Sequence, residues 1–115
     1  MDTGVFIYLQ FLRDKLLPLP GVTEKMCFDT PAFYVNKKYF IRIREDGETL
    51  VLHTFERDKW MAANPDVYFI TEHYYNYDYM LINLPNADPA ELEGLLIQAW
   101  KNRAGKKLVK AWGLT

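Results

Sequence analysis

Residues 67–84 read VYFITEHYYNYDYMLINL. Two apolar runs, 67–71 and 79–84, enclose a polar, tyrosine-rich turn with a single histidine, His73, at its mouth. Aromatic and β-branched residues bounded by turn formers favour strands, so the segment predicts a β-hairpin. Upstream, 32–35 and 39–44 are two more strands separated by Asn36-Lys37-Lys38. Asp46-Gly47 then signals a tight hairpin before a strand over 49–54. The weaker alternation of 23–28 makes a short strand ending at the Asp29-Thr30-Pro31 turn. Together these runs predict an antiparallel meander and a separate hairpin.

Helices close the sequence at both ends. Val5, Leu9, Leu12 and Leu16 recur at helical spacing after a cap at Asp2 or Thr3, and Pro18 and Pro20-Gly21 stop the run. Phe6, Ile7, Tyr8 and Phe11 widen its apolar surface beyond one stripe, which marks it as a face for a homo-oligomer. Residues 55–63, with Trp60 and Met61, form a short crossing helix ended by Asn64-Pro65. Asp88-Pro89-Ala90-Glu91 has an N-cap acid, proline at the first helical position and glutamate at the third, the pattern of a capping box. Leu92, Leu95, Leu96, Ala99 and Trp100 continue as one buried stripe, Gly105 interrupts it, and Leu108, Ala111 and Trp112 make a last turn that folds back. The order is helix, antiparallel strands, helix, hairpin, helix, in outline α-β-β-β-α-β-β-α, which implies an α+β two-layer sandwich.

The totals narrow the function classes. A chain of 115 residues, half of them apolar and 16% aromatic, is of single-domain size and buries a core without staples. Cys27 is alone, so no internal disulfide and no cysteine pair for zinc is expected. The N-terminus lacks a basic leader and no apolar run approaches a membrane span, so a cytoplasmic protein without membrane contact is expected. Formal net charge is −1, yet the charges are unevenly placed. Lys37, Lys38, Arg42 and Arg44 lie close together, as do Lys101, Arg103, Lys106, Lys107 and Lys110, while 64–100 holds acids and no Lys or Arg. Such runs serve solubility or form a locally basic surface.

In the strand over 39–44, a period of two puts Tyr39, Ile41 and Ile43 on one face and Phe40, Arg42 and Arg44 on the other. His73 beside Glu72 is the best single candidate for chemistry, since a carboxylate can set an imidazole tautomer. A turn histidine bonded to backbone is the competing reading. No serine or cysteine nucleophile motif accompanies it, so no enzyme activity is expected. His53 and His73 are twenty residues apart, and no metal-ligand spacing or glycine-rich phosphate loop occurs, so neither metal nor cofactor is expected. Trp100 belongs to the core, whereas Trp60 and Trp112 could border a cleft between sheet and helices.

Leu19-Pro20-Gly21-Val22-Thr23-Glu24, then Phe33, Val35, Lys38 and Phe40 in an F-x-V-x-x-K-x-F pattern, resemble the MmcQ/YjbR family of small bacterial proteins. The run Asn64-Pro65-Asp66-Val67-Tyr68-Phe69-Ile70-Thr71-Glu72-His73-Tyr74 is similar to that family's P-x-V-F-x-x-T-[DE]-H-Y signature, and Asp88-Pro89-Ala90-Glu91-Leu92 with Ala99-Trp100 also matches. The resemblance spans residues 5 to 112. It implies an α+β architecture like the CyaY-like and secretion-chaperone-like folds, and the family's usual description as double-wing DNA-binding proteins. With the hairpins as wings, Lys37, Lys38, Arg42, Arg44, Lys101 and Arg103 would meet phosphates while Tyr74, Tyr75 and Tyr77 stack. The alternative is a protein- or small-ligand-binding module that uses a cleft near His73, Tyr74 and Tyr77, or the first helix as a dimer face.

Overall fold

The computed structural model describes residues 3–113, with side chains from Tyr8 onward. Its helices are α1 (Thr3–Leu16), α2 (Arg57–Ala63), α3 (Pro89–Ala104) and α4 (Lys106–Gly113). The strands are β1 (Thr23–Cys27), β2 (Thr30–Val35), β3 (Lys38–Ile43), β4 (Thr49–His53), β5 (Tyr68–Phe69) and β6 (Tyr79–Asn83). They form one antiparallel six-stranded sheet in the order β1-β2-β3-β4-β6-β5. Meander and hairpin are thus one sheet, joined where β4 pairs with β6. The meander has the four strands read in the sequence, one more than the shorthand outline counts, and the weakly alternating Thr23–Cys27 run pairs with β2.

One face of the sheet carries the main core. Leu9, Leu12 and Leu16 of α1 and Leu92, Leu95, Leu96, Ala99 and Trp100 of α3 close over Phe33, Ile41, Ile43, Leu50, Leu52, Met80 and Ile82. Burial of this kind stabilises by roughly 25 cal/mol per Å² of apolar surface, which makes the α3 stripe the main reason the helix docks. The Trp100 indole donates to the Pro20 carbonyl at 3.0 Å and meets the Trp112 ring at 5.6 Å, so α4 does fold back. Tyr8 and Phe11 pack partly buried against this core. The cap at Asp2 or Thr3 and the side chains of Val5, Phe6 and Ile7 lie outside the described residues. No described helix is long and apolar enough to cross a membrane.

Several local readings are corrected. The β2–β3 register shifts between Phe33 and Tyr34, so Tyr39 pairs with Tyr34 and Ile41 with Phe33, leaving Phe40 as an extra residue. A bulge breaks the period of two. Phe40 therefore joins Ile41 and Ile43 in the core, and Tyr39 is the aromatic that packs on the same side as Arg42. The first hairpin turns at Phe28-Asp29, with φ of 53° and 66°, and Thr30 and Pro31 belong to β2. Asp46-Gly47 lies within a longer loop. Arg44 N–H donates to Thr49 O, and the Asp46 carboxylate accepts from the Glu48 and Thr49 amides and the Thr49 hydroxyl. Against the cost of burial, these bonds hold that carboxyl below its usual range. Finally, β5 is only Tyr68–Phe69, because Glu72–Tyr74 forms a 3-10 turn.

That turn brings Tyr74 down onto the second face of the sheet, where it is buried with Val51, Tyr79 and Leu81. Arg57, at the start of α2, holds the loop over the sheet by donating to the carbonyls of Tyr74 (2.9 Å), Tyr77 (2.6 Å) and Tyr75 (2.6 Å). Three charge-assisted bonds to backbone make the 74–77 loop a fixed lid on the sheet.

Candidate nucleic-acid interface

The β2–β3 turn is made by Asn36 and Lys37, both left-handed at φ of 52° and 68°. Asparagine tolerates this region better than most residues because its short polar side chain bonds locally or nearby. Here the Asn36 amide donates to the carbonyls of both Arg103 and Ala104, at 2.8 Å each. These carbonyls close the last turn of α3 and would otherwise lack partners. Gly105, at φ 83°, then redirects the chain into α4. Leu108, Val109 and Trp112 of α4 pack toward the core, and Lys106, Lys107 and Lys110 are exposed. The hairpin lysines Lys37 and Lys38 are exposed on the other side of the Asn36 bonds. Lys101 lies with its ammonium 5.5 Å from the Trp112 ring centroid.

Arg103 turns from this end toward the second sheet face. Its guanidinium donates to the Tyr79 hydroxyl at 3.3 Å and stands 5.9 Å from that ring, while the Tyr79 hydroxyl donates to Tyr39 O at 2.8 Å. The Tyr39 and Tyr79 rings stack at 5.1 Å and 25°. Arg103 therefore supports the surface from beneath, and the lysines carry its exposed charge.

Arg42 and Arg44 do not join this surface. Lys38 begins β3 and Arg44 follows its end, so the run of four cations is stretched over about 20 Å. Arg42 is 7% exposed, bonded to the Tyr74 hydroxyl at 3.0 Å and Thr30 Oγ1 at 3.4 Å, with Glu45 at 3.6 Å. Those contacts engage it inside the protein. It lines a cleft of about 300 Å³ with Phe28, Tyr39, Arg44, Thr71, His73 and Tyr74. His73 is exposed, edge-on to Tyr74 at 4.7 Å and tilted 6.3 Å from Tyr77. Tyr77 lies outside that cleft lining, so His73, Tyr74 and Tyr77 do not converge on one pocket. Tyr74 is buried, which leaves Tyr75 at 66% and Tyr77 at 58% exposure as the free aromatics of the loop. That loop enters β6 at Tyr79, at the same end of the sheet as Lys38.

Among the sequence candidates, Lys37, Lys38, Lys101 and Arg103 are brought together. Asn36, which makes the junction, reads in sequence only as a turn residue. An asparagine followed by a bulky residue in a tight hairpin was the available signal, because a left-handed asparagine often has its side chain engaged elsewhere. Lys106, Lys107 and Lys110 count toward the basic segment but carry no motif.

A two-layer α+β domain with an antiparallel sheet, a loop pinned on its open face and helices on the other defines the class. The YjbR family model matches residues 17–102, and the chain belongs to the YjbR family. Two curated relatives, Uncharacterized protein Mb2600 of Mycobacterium bovis and Uncharacterized protein Rv2570 of Mycobacterium tuberculosis, are each 32% identical over 72 residues, covering 63% of this chain. The matched stretch is 50% of each relative, so the chain spans about half the length of the curated relatives it matches. The crystal structure of Deinococcus radiodurans protein DR2400, a DUF419 domain, superposes with a TM-score of 0.72 at 21% identity, over 91% of this chain and 87% of that one. That likeness concerns the fold.

Proposed function

We propose that this protein is a non-enzymatic nucleic-acid-binding module, and that its contact surface is the lysine-rich end formed by the β2–β3 turn and α4. The observation that carries the reading is the double hydrogen bond from Asn36 to Arg103 O and Ala104 O. It joins two basic segments that are 67 residues apart in sequence into one patch. Among the described residues, Lys37, Lys38, Lys106, Lys107 and Lys110 have no carboxylate within ion-pair distance. Their ammonium groups are available to phosphates.

The near-neutral total charge does not oppose this. Asp88, Glu91 and Glu93 cluster at the start of α3, whereas Lys101 and Arg103 lie in its last turn. Along the helix axis these acids and cations are about 12 to 22 Å apart, beyond the screening length of roughly 8 Å at physiological salt. The acids at one end therefore do little to cancel the field at the other. Tyr75 and Tyr77 supply exposed rings for sugar or base contact, each stacked base being worth roughly 1 to 3 kcal/mol. Lysines on phosphates carry no base information, so binding is expected to be weakly dependent on sequence.

The test is fluorescence anisotropy of labelled duplex and single-stranded DNA across a salt series. If four of the five lysines engage phosphates, the log–log slope is about −3.6 on duplex and about −2.8 on single-stranded DNA, set by the counterions released at each contact. Absence of binding at low salt rejects the reading.

A further inference from the structure

A second cleft, of about 310 Å³, opens between α2, the end of β4 and the middle of α3, and no lysine or arginine of the basic end lines it. His53, Glu56, Trp60, Glu91, Gly94 and Leu95 are among its lining residues. That volume is at the small end of ligand pockets. The lining holds two carboxylates and no lysine or arginine.

Three features equip the cleft for a ligand. Glu91 occupies the third position of α3, where a capping glutamate would reach back to the Asp88 amide. Instead, Asp88 caps the helix alone through the Ala90 amide, and Glu91 accepts from the Tyr68 hydroxyl. Burial, and then Glu91 itself, push the Tyr68 hydroxyl up, so it stays a donor and holds the carboxylate in place. His53 is 2% exposed and edge-on to Phe55 and Tyr79. Gln98 donates to Asn102 Oδ1 at 3.0 Å, which turns the Asn102 amide nitrogen toward His53 Nδ1 at 3.3 Å. With Nδ1 accepting, the neutral ring carries its proton on Nε2, which has no hydrogen-bond partner among the described residues. Gly94 faces open space where any other residue would fill part of the cleft.

The rim already shows which charge the site favours. The Lys59 ammonium stands 5.2 Å from the Trp60 ring centroid and 3.7 Å from Glu56 Oε2. An indole face beside a carboxylate is a favourable setting for an ammonium group.

We infer that this cleft binds a small organic amine, with its ammonium between Glu56 and Glu91 beside Trp60 and its apolar body against Leu52 and Leu95. The Nε2–H of His53 is left as a donor for an acceptor atom on the ligand. An anionic ligand would meet both carboxylates with only the exposed Lys59 ammonium at the rim as counter-charge, and a wholly apolar one would leave Glu91 dry with the Tyr68 hydroxyl as its hydrogen-bond partner.

The test is a titration of 3-phenylpropylammonium chloride into the 15N-labelled protein, beside the isosteric 3-phenylpropanol, with the Trp60 indole and Gly94 amide resonances followed. The ammonium compound is expected to saturate at millimolar concentration with shifts centred on Trp60, His53 and Gly94, and the alcohol to bind at least about tenfold more weakly. Combining Glu56→Gln with Glu91→Gln should cost a similar factor. Gly94→Leu should abolish binding while leaving the spectrum dispersed, since leucine favours the helix and fills the cleft. Equal binding of amine and alcohol, shifts located elsewhere, or unchanged binding by Gly94→Leu would overturn the inference. No nucleic acid is present in this experiment, so its outcome is separate from that of the DNA reading.

Discussion

The Arg42 guanidinium donates to the Tyr74 hydroxyl at 3.0 Å across 32 residues of sequence, and both side chains are buried on the outer face of the sheet. Arg42 stands in a row of paired residues with Ala32, Val51, Leu81 and Phe69, so its charge depends on the loop that covers it. Tyr74→Phe removes the acceptor and keeps the ring. The expected loss is about 1 to 3 kcal/mol, the cost of leaving a buried donor unpaired, read from the denaturant midpoint. DNA affinity should be unchanged, because neither group reaches the lysine end. Arg42→Glu should fail to fold stably, since it puts a carboxylate in the buried place of Arg42 with no cation to pair it and the exposed Glu45 nearby.

The sequence revealed the helices and strands because each carries its own signal: the α3 stripe, the Asp88-Pro89 start, the β-branched runs. It did not reveal the bulge at Phe40, which depends on how β2 and β3 meet and moves one aromatic from the outer face to the core. The grouping of cations was misjudged for the same reason. Proximity in sequence placed Lys37 with Arg42, whereas an extended strand separates them and a hydrogen bond from Asn36 brings Lys37 to α3 instead. His73 drew attention as the histidine of a distinctive motif and is exposed, whereas His53 carried no motif and is buried, with its pKa lowered by burial.

Asn36 separates two effects. Asn36→Gly keeps the left-handed turn but frees the Arg103 and Ala104 carbonyls, for an expected loss of about 1 kcal/mol. Asn36→Asp puts an acceptor against two acceptors and should cost more, about 2 to 3 kcal/mol, in equilibrium unfolding. A larger loss for glycine than for aspartate would contradict the role given to the side chain.

Gly21 sets the docking of α4. It sits at φ 76°, and an added Cβ would lie 3.0 Å from Leu108 Cδ1. Gly21→Ala is expected to cost about 1 to 2 kcal/mol through strain and displacement of the helix. Thermal unfolding, together with the environment of Trp112, measures both.

His53 makes stability depend on pH. Burial, and then the Arg103 charge, lower its pKa from 6.5 to about 4, with Asp78 opposing. Between those values the unfolded chain binds more protons than the folded one. The contribution is therefore complete above pH 6.5 and is lost as pH falls toward 4, with a limit of roughly 3 kcal/mol. His53→Gln, whose amide oxygen can still accept from Asn102, should flatten the stability profile across that window. An unchanged profile would contradict the assignment.

The most direct test of the nucleic-acid account compares two double charge reversals with the same net charge. Lys37→Glu with Lys38→Glu alters the patch, and Lys15→Glu with Lys59→Glu alters a half-buried position on α1 and an exposed one on α2. In salt-titrated anisotropy with labelled DNA, the patch variant should bind at least about tenfold more weakly, with the slope reduced by about 2, while the other stays near the parent protein. Equal loss in both variants would show that only the total charge matters, and would contradict a binding surface at the β2–β3 turn.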